Sequence, residues 1–405
     1  MKLPPLKLDH LERLTDGTGI LQFARFGVGD PHSGYTTDDN TRALIVAARL
    51  PHGPVRKRLV STYLRFLLYA QRPDGTLAHE VSYERSPSQL AVSDDGFGRC
   101  LWACGEVVAS DLPEAMKGAA ASIFQRALPH LADIRHPRGW ANAIQGLALW
   151  TSHMDAGMVS DAAARCAEDL LSRFEMPSVT EWVWFEDILT YEPGRLPLGL
   201  LYAAALTRDT RYLEAGERVL AFLERTLYEA TPAGRIFSAI GNRGWYRRGG
   251  PRAVYDQQPI DASSMVEAAA AAAVMTRNPR YRLLARDAFA WFLGANTLGM
   301  PLYNPETGGC HDGLTPQGVN LNAGSESTIC YLIARLTVAA LNHAPRSGSG
   351  RAGAVPISRL LAGRPRALEL RDARRVESAP EPPAPPLPPV KPTAGPHPVT
   401  PMRRR

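Results

Sequence analysis

The sequence has no long hydrophobic run and few cysteines. No stretch approaches the roughly 18 consecutive apolar residues that a membrane helix needs, so we expect no membrane span. The first residues, MKLPPLKLDHLERL, contain no apolar segment ending in small residues, which argues against a secretory signal peptide. Five cysteines scattered over 405 residues do not suggest a disulfide framework; they favour reduced thiols and a cytoplasmic location.

The sequence also gives little support for nucleotide or nucleic-acid binding. It contains neither a G-x-x-x-x-G-K-[ST] phosphate loop nor a strand-led G-x-G-x-x-G. The formal charge of +6 comes from residues 344–405, which are rich in arginine and, from 380 onward, in proline. Residues 1–343 are close to neutral, so a nucleic-acid-binding core is not expected. A segment of the composition of 344–405 cannot bury a core, and we predict a disordered tail in which only 358–371 could form a short helix.

Residues 1–343 repeat one pattern six times. Each repeat begins with a polar or glycine-rich lead-in, followed by a run of small and apolar residues with helical spacing. Between these runs lie amphipathic segments with apolar residues at positions i, i+3, i+4 and i+7. The six small-residue runs begin near Asp39, Asp95, Asn142, Pro197, Asp261 and Glu326.

This alternation predicts two layers of helices. The helices of small residues must be buried on most sides, whereas the amphipathic ones show one face to water. We therefore predict an all-α fold, an (α/α)6 toroid of six helical hairpins over residues 1–343. An open α-solenoid follows the same repeat logic. The closed ring is favoured because the spacing of 47 to 65 residues exceeds the roughly 34–47 residues of common helical solenoid repeats.

In a toroid the six lead-ins meet at one end, around the central funnel. They carry carboxylates, aromatic rings, amides and guanidiniums, which together suit a sugar: its C–H faces stack on rings, and its hydroxyls need donors and acceptors. The candidate catalytic carboxylates are Glu186, Asp39, Asp95, Asp187, Asp261 and Glu326. The candidate substrate-binding residues are Tyr35, Asp38, Asn40, Arg42, Arg99, Trp140, Trp182, Trp184, Tyr191, Arg195, Tyr255, Gln257, His311 and Asn322.

Two lead-ins, TDDN at 37–40 and SDDG at 93–96, place adjacent aspartates at a helix start. A helix start needs one capping side chain, and neighbouring side chains point in different directions. We expect Asp38 or Asp39 to cap its helix while the other faces the funnel.

The segment GGCHDG offers Cys310 and His311 as zinc ligands. A further cysteine would be needed, and Cys100 and Cys104 fall within a helix where they fit packing. We therefore expect neither a metal site nor a cofactor, and His311 is assigned to hydrogen bonding or to substrate.

Several long motifs resemble bacterial six-hairpin glycosidase-like proteins, which occur alone or joined to glycosyltransferase domains. They are HLERLTDGTGILQFA with GYTTDDNTRALI, FEDILTYEPGRLPLGLL, YDQQPIDASSMVEA, and WFLGANTLGMPLYNPETGGCHDGL with NLNAGSESTICYL. The resemblance covers about 8–342. It implies the toroid fold, an oligosaccharide or polysaccharide substrate, and a glycosyltransferase as a partner. Glycoside hydrolases, polysaccharide lyases and sugar epimerases share this fold, so the resemblance does not choose among activities.

A glycoside hydrolase is the favoured activity, and it needs two carboxylates beside the scissile bond. A separation of about 6.5–9.5 Å predicts inversion and one of about 5–5.5 Å retention. Glu186 is the expected general acid, because Trp182, Trp184 and Phe185 would raise its pKa. Asp39 or Asp95 is the expected base.

Two alternatives stay open. A sugar epimerase of this fold would use a pair of histidines, but the loop histidines His32, His79, His136 and His311 do not lead the small-residue helices in this interpretation. A non-catalytic carbohydrate-binding partner of a glycosyltransferase would keep the aromatic residues. The arginines Arg42, Arg99 and Arg195 leave an anionic sugar or a phosphate donor open as the ligand.

Overall fold

The computed structural model describes residues 2–150, 156–174, 182–232 and 234–344. The predicted tail, 344–405, lies outside these residues except for Ala344, and so does the short helix predicted within 358–371. The helices of the described residues are α1 (Asp9–Leu14), α2 (Thr37–Arg49), α3 (Pro54–Ala70), α4 (Asp94–Ala109), α5 (Glu114–Ala127), α6 (Pro137–Leu149), α7 (Ala156–Ser172), α8 (Arg195–Thr207), α9 (Thr210–Leu227), α10 (Pro259–Thr276), α11 (Pro279–Ala290) and α12 (Ser325–His343).

The even-numbered helices form a closed inner ring. Each contacts the next one, from α2 through α4, α6, α8 and α10 to α12, and α12 packs back against α2. The odd-numbered helices pack outside this ring. This confirms the predicted (α/α)6 toroid of six hairpins and excludes the open solenoid, because a solenoid would leave α12 and α2 apart.

The two layers differ in burial as their composition requires. In α10, every residue from Pro259 to Ala273 is buried, whereas α9 buries only one face, including Tyr212, Val219 and Leu223. Helix α10 is long and rich in alanine, yet no helix in the described part of the chain is long and apolar enough to cross a membrane. All five cysteines are free and buried.

Short antiparallel strand pairs stiffen the connections between helices. They pair β1 with β2, β3 with β4, β5 with β8, β6 with β7, and β9 with β10. The strands are β1 (Ala24–Arg25), β2 (Val28–Gly29), β3 (Tyr35–Thr36), β4 (Glu80–Val81), β5 (Ile188–Leu189), β6 (Tyr228–Thr231), β7 (Gly234–Phe237), β8 (Tyr246–Arg247), β9 (Gly313–Thr315) and β10 (Gly318–Asn320).

Glycine allows α4 and α6 to pack backbone against backbone. A Cβ on Gly98 of α4 would overlap the carbonyl oxygen of Gly139 on α6. About two turns further along α4, a Cβ on Gly105 would lie 2.9 Å from the carbonyl oxygen of Gly146. Glycine residues thus set the distance between these two neighbours in the ring.

Replacing Gly98 with alanine is expected to lower the free energy of unfolding by about 1–3 kcal/mol, since the methyl group has no space and the backbones must separate. Gly118 of α5 is the matched control, because a Cβ there meets nothing within 4 Å. Gly118→Ala should stabilise by roughly 0.5–1 kcal/mol through helix propensity alone. Urea unfolding measures both; equal effects of the two substitutions would contradict the close packing.

Candidate functional site

The starts of four inner helices surround a polar cavity of about 270 Å³. It lies at the end of the toroid where the lead-ins meet, as the sequence predicted. The residues lining it are Asp38, Arg42, Ser93, Asp95, Arg99, Tyr191, Trp245, Gln258, Ile260 and Glu326. Six of them are among the candidates named from the sequence: Asp38, Arg42, Asp95, Arg99, Tyr191 and Glu326.

The adjacent aspartates at the start of α2 do not cap it. Thr36 does so: its Oγ1 accepts the N–H of Asp39 at 3.0 Å and donates its own hydrogen to Asp39 Oδ2 at 2.7 Å. At the start of α4, Ser93 likewise accepts the N–H of Gly96 at 3.3 Å. The expectation that Asp38 or Asp39 is the cap was therefore wrong, because a hydroxyl residue precedes each aspartate pair and takes that position.

Neither aspartate of a pair caps its helix, and the two side chains of each pair have different surroundings. At α2, Asp39 is buried against Thr36 and Asp38 faces the cavity. At α4, Asp95 faces the cavity, while Asp94 Oδ2 accepts the N–H groups of Arg135 and His136 at 2.6 and 2.8 Å. One member of each pair is thus structural and the other is available to a ligand.

Three carboxylates surround the guanidinium of Arg42. Its Nη1 lies 2.8 Å from Asp38 Oδ2, 2.8 Å from Glu326 Oε2 and 3.5 Å from Asp39 Oδ1. Burial raises the pKa of Asp39; Arg42 opposes this, Glu326 and Asp38 add to it, and the resulting pKa is about 6. Burial thus favours the protonated form of Asp39 more than that of an ordinary aspartate.

Asp95, which lines the cavity, has a lowered pKa, in contrast to Asp39. Its Oδ1 lies 2.9 Å from Nδ1 of His136, and its Oδ2 accepts a hydrogen bond of 2.5 Å from the Tyr191 hydroxyl. Burial raises the pKa of Asp95, but the hydrogen bonds from His136 and Tyr191 outweigh burial and lower it to about 2. Asp95 is therefore ionised at any pH at which the protein would work.

Asp261, at the start of α10, is a third kind of carboxyl group. It is 1% exposed; Oδ1 accepts the N–H of Glu192 at 2.7 Å, and Oδ2 is buried without a hydrogen-bond partner. Burial raises its pKa to about 8, although the hydrogen bond from Glu192 and the charge of Arg138 act in the opposite direction. A protonated side chain fits this position, and Asp261 is not among the residues that line the cavity.

Asp261→Asn is expected to stabilise the protein increasingly as the pH rises from about 4 to 8. The folded state holds the Asp261 proton up to a pKa of about 8, whereas an unfolded aspartate loses it near pH 3.9, so the wild type loses stability across this interval. Asparagine resembles the protonated form and does not titrate. The test is to measure the free energy of unfolding of the wild type and of Asp261→Asn at pH 4.5 and at pH 8. An equal gain in stability at both pH values would contradict the raised pKa of Asp261.

Below the cavity, buried charges of alternating sign fill the axis of the toroid. Arg99 joins Asp38 above to Glu192 below, where its Nη2 lies 2.8 Å from Oε2. Arg195 then links Glu192 to Glu267, at 2.8 Å from each. We call this series the axial ion-pair chain; from the cavity downward its members are Glu326, Arg42, Asp38, Arg99, Glu192, Arg195, Glu267, Arg49 and Glu106.

At the end far from the cavity, the indole of Trp102 contacts residues of the axial ion-pair chain. Arg49 Nη1 lies 3.2 Å from Glu267, and its Nε donates to Glu106 at 3.0 Å. Trp102 Nε1 donates to Glu106 at 2.9 Å, and the guanidinium of Arg195 lies 4.5 Å from the centre of the Trp102 ring system. Asp38 and Arg49 are 11 residues apart on α2, about 16 Å of helix, so the chain follows most of the inner ring's length.

The remaining sequence candidates lie outside the cavity. Tyr35 is buried and donates to Asp16 at 2.5 Å, and Asn40 is buried, with its Oδ1 accepting the N–H of Ile20. Gln257 is buried; its Oε1 accepts the hydrogen of Trp291 Nε1 at 2.9 Å. Asn322 accepts the N–H of Phe26, and Nδ1 of His311 lies 3.1 Å from a backbone carbonyl oxygen. Tyr255 and Arg195 are not among the lining residues either.

The segment containing Glu186 differs from its sequence interpretation. Trp182 and Trp184, like Trp140 on α6, are buried in the core, which leaves no ring face free to stack on a sugar. Glu186 does not line the cavity, and its Oε2 lies 3.4 Å from Arg138 Nη1. Asp187 has a side chain that is 86% exposed. Glu186 and Asp187 as catalytic residues therefore stay predictions that the geometry of this cavity does not favour.

Six residues at or beside the cavity were missed as site candidates. Ser93, Trp245, Gln258 and Ile260 line it, and Glu192 lies directly below it. His136 was placed away from the inner-helix starts, which was wrong: it is the residue immediately before α6, and Pro137 at the first helical position could have revealed that. Both Glu192 and Trp245 have left-handed backbones, with φ of 52° and 58°, a strained conformation that often occurs at functional sites.

No group of three or more His, Cys, Asp or Glu side chains within the described ranges is arranged to hold a metal ion. Cys310 is fully buried, and its Sγ lies 3.5 Å from the carbonyl oxygen of His311. Cys100 and Cys104 are buried within α4, where they pack as the sequence suggested.

Comparison with known proteins yields matches among solved structures, whereas no family model and no curated protein matches the chain. A cellobiose 2-epimerase from Bacillus thermoamylovorans is 10% identical with a TM-score of 0.60, covering 82% of this chain and 95% of its own. A D-mannose isomerase is 11% identical with a TM-score of 0.60, covering 82% and 95%. An α-1,6-mannanase from Salegentibacter is 11% identical with a TM-score of 0.54, covering 82% and 96%.

The mannanase structure is an inactive variant, in which two adjacent aspartates are replaced by alanine, in complex with α-1,6-mannotetraose. The neighbours thus include both glycoside hydrolases and enzymes that epimerise or isomerise sugars. At this level of identity the likeness concerns the fold and not the activity. The chain has the (α/α)6 toroid fold of these neighbours, as its sequence predicted.

Proposed function

We propose that the protein is a glycoside hydrolase that cleaves an oligosaccharide in the polar cavity. The observation that carries the proposal is the contrast between two carboxyl groups at neighbouring inner-helix starts. The pKa of Asp95, which lines the cavity, is lowered to about 2, whereas burial raises the pKa of Asp39, beside Arg42, to about 6. A pair of carboxyl groups whose environments push their pKa values apart is the arrangement that acid and base catalysis of glycoside hydrolysis requires.

The roles follow from which atoms reach the cavity. Asp95 acts as the ionised carboxylate, either as base or as nucleophile. We assign the acid role to the carboxyl groups around Arg42, of which Asp38 and Glu326 face the cavity and Asp39 is buried beside them. Trp245 and Tyr191, whose ring centres are 6.3 Å apart, form an aromatic wall for the C–H face of a sugar.

The adjacent aspartates of this chain support a hydrolase. In the Salegentibacter mannanase, the inactive variant has two adjacent aspartates replaced. This chain carries two such pairs at inner-helix starts, and one member of each faces the cavity. Oligosaccharide binding, a glycosyltransferase partner and a cytoplasmic location stay predictions from the sequence resemblance and composition.

Epimerisation or isomerisation is the second candidate, because His136 lies beside the cavity. Its Nδ1 is 2.9 Å from Asp95 Oδ1 and its side chain is 40% exposed, which is a suitable arrangement for proton transfer. This candidate is weaker, since neither His136 nor any other histidine is among the residues that line the cavity.

One experiment separates the candidates. Purified protein is incubated in deuterated water with α-1,6-manno-oligosaccharides, cello-oligosaccharides and their monosaccharides. A hydrolase releases new reducing ends without carbon-bound deuterium. An epimerase incorporates deuterium at C2, and an isomerase incorporates it at C1 of the ketose, in both cases without cleaving the chain. Deuterium exchange that is lost in His136→Gln would replace the proposal with the second candidate, and binding without either reaction would indicate a carbohydrate-binding protein.

A further inference from the structure

The size of the cavity limits how much of a carbohydrate it can hold. Its volume of about 270 Å³ lies just below the range of about 300–1,000 Å³ that is typical of ligand pockets. A single sugar ring with a few ordered waters fits this space, whereas two or more consecutive rings do not. The rest of a longer ligand would have to lie outside the cavity.

The inner end of the cavity is closed by charged side chains. Arg42 and Arg99 line it, and their side chains are only 6% and 1% exposed because carboxylates surround them. Below Arg99 the axial ion-pair chain continues through Glu192 and Arg195. Opening a passage along the axis would separate buried ion pairs, and leaving one such charge unpaired costs several kcal/mol.

Side chains from several parts of the ring line the cavity. Residues of α2, α4, α10 and α12 approach the cavity from different sides of the ring, and Tyr191 and Trp245 add an aromatic wall between them. An internal ring of a polysaccharide needs two exits, one for each neighbouring ring. A terminal ring needs only one exit, toward the lead-in end.

We propose that the cavity is a dead-end pocket that accepts one terminal sugar ring, so that the protein acts on chain ends or on mono- and disaccharides and not on internal bonds. The closed inner end offers carboxylates and guanidiniums to the hydroxyls of that ring, as Asp38, Glu326 and Arg99 are grouped there. The proposal rests on the proposed function only in taking a carbohydrate as the ligand.

Titration calorimetry with a length series tests the pocket independently of turnover. The probes are mannose and α-1,6-linked mannobiose, mannotriose and mannotetraose, together with glucose, cellobiose and cellotriose. The dissociation constant is expected to change by less than about tenfold for each ring beyond the second. A steady tightening by about tenfold or more per ring up to the tetrasaccharide would overturn the proposal, because it would show several rings bound in a row.

A pocket-filling variant sharpens the test. Ile260 is 5% exposed and lines the cavity, so Ile260→Trp should remove binding of the whole length series alike. In an open groove the longer chains would still bind, which would count against a dead end. Leu90→Trp, at a side chain that is 69% exposed and outside the cavity, is the control, and thermal unfolding shows that both variants fold.

Products distinguish this inference from the proposed function. From a mannotetraose labelled at its reducing end, an enzyme that accepts one terminal ring releases monosaccharide and leaves a trisaccharide from the first time points. Early release of products from the middle of longer chains would overturn the dead-end pocket and leave the hydrolase standing. If the dissociation constant changes little along the length series and no turnover is seen, the dead-end pocket is supported and the hydrolase is rejected. If no probe binds, both proposals are rejected.

Discussion

Asp95→Asn is expected to lower turnover of the oligosaccharide by about 100- to 10,000-fold, the usual contribution of a carboxylate that takes part in acid and base catalysis. The amide is close in shape to the carboxylate, so the hydrogen bond from Tyr191 can persist while the negative charge is lost. The measurement is kcat and kcat/KM for reducing-end release at pH 6. Because the proposed role is chemical, kcat should fall far more than KM rises.

The control for Asp95→Asn is the neighbouring aspartate. Asp94 accepts two backbone N–H groups from the turn at Arg135 and His136 and is not among the residues that line the cavity. Asp94→Asn retains a carbonyl oxygen for these bonds, so kcat should stay close to that of the wild type. Equal losses for both substitutions would mean that the start of α4 acts only structurally, and full activity of Asp95→Asn would remove Asp95 from the mechanism.

The second large effect concerns stability. Arg195→Leu is expected to lower the free energy of unfolding by about 3–5 kcal/mol, because it leaves buried carboxylates without one of their partners. Arg195 is 3% exposed and lies 2.8 Å from both Glu192 and Glu267. Guanidinium chloride unfolding of the wild type and the variant, followed by circular dichroism, measures the difference.

Two further variants separate the buried ion pairs from a general effect of losing arginine. Arg211 forms its ion pairs with Glu168 and Asp209 at the surface with a side chain that is 60% exposed, so Arg211→Leu should change the unfolding free energy little. Arg195→Leu combined with Glu267→Leu removes two opposite charges together and should recover part of the lost stability. If Arg195→Leu has no larger effect than Arg211→Leu, the axial ion-pair chain does not stabilise the toroid.

The two effects belong to one structural arrangement. Arg99 contacts Asp38 at the cavity and Glu192 in the axial ion-pair chain, so the chain holds the charged residues of the cavity in place from below. Buried charges must be paired, and here the same pairing that satisfies them also fixes the inner end of the proposed sugar site. A substitution in the axial ion-pair chain can therefore affect both stability and binding.

The adjacent aspartates show how far a sequence can lead toward a site. Their position at inner-helix starts was predicted, and one member of each pair does face the cavity. Which member does so was not predictable, because it depends on the cap. Thr36 caps its helix two residues before Asp38, and Ser93 caps its helix one residue before Asp94, which places Asp38 and Asp95 at the second helical position, facing the cavity. The carboxylates Glu186 and Asp187, attractive because of their aromatic neighbours, were not placed at the cavity.

The aromatic residues show the same limit. A tryptophan in a lead-in can stack on a ligand or pack in the core, and its sequence neighbours do not distinguish the two. Trp182 is buried against Phe222 and Tyr246, whose positions depend on the packing of distant segments. Trp245, in the loop before β8, lines the cavity instead.

The sequence by itself determined the two-layer toroid and the end at which the polar residues meet. Both follow from local properties, namely which residues repeat with helical spacing and which residues precede each helix. Only the tertiary structure decided which charges are partners, because a partner in a ring can lie anywhere in the chain. Arg42 and Glu326 are 284 positions apart, yet they lie 2.8 Å from each other where α2 and α12 close the ring.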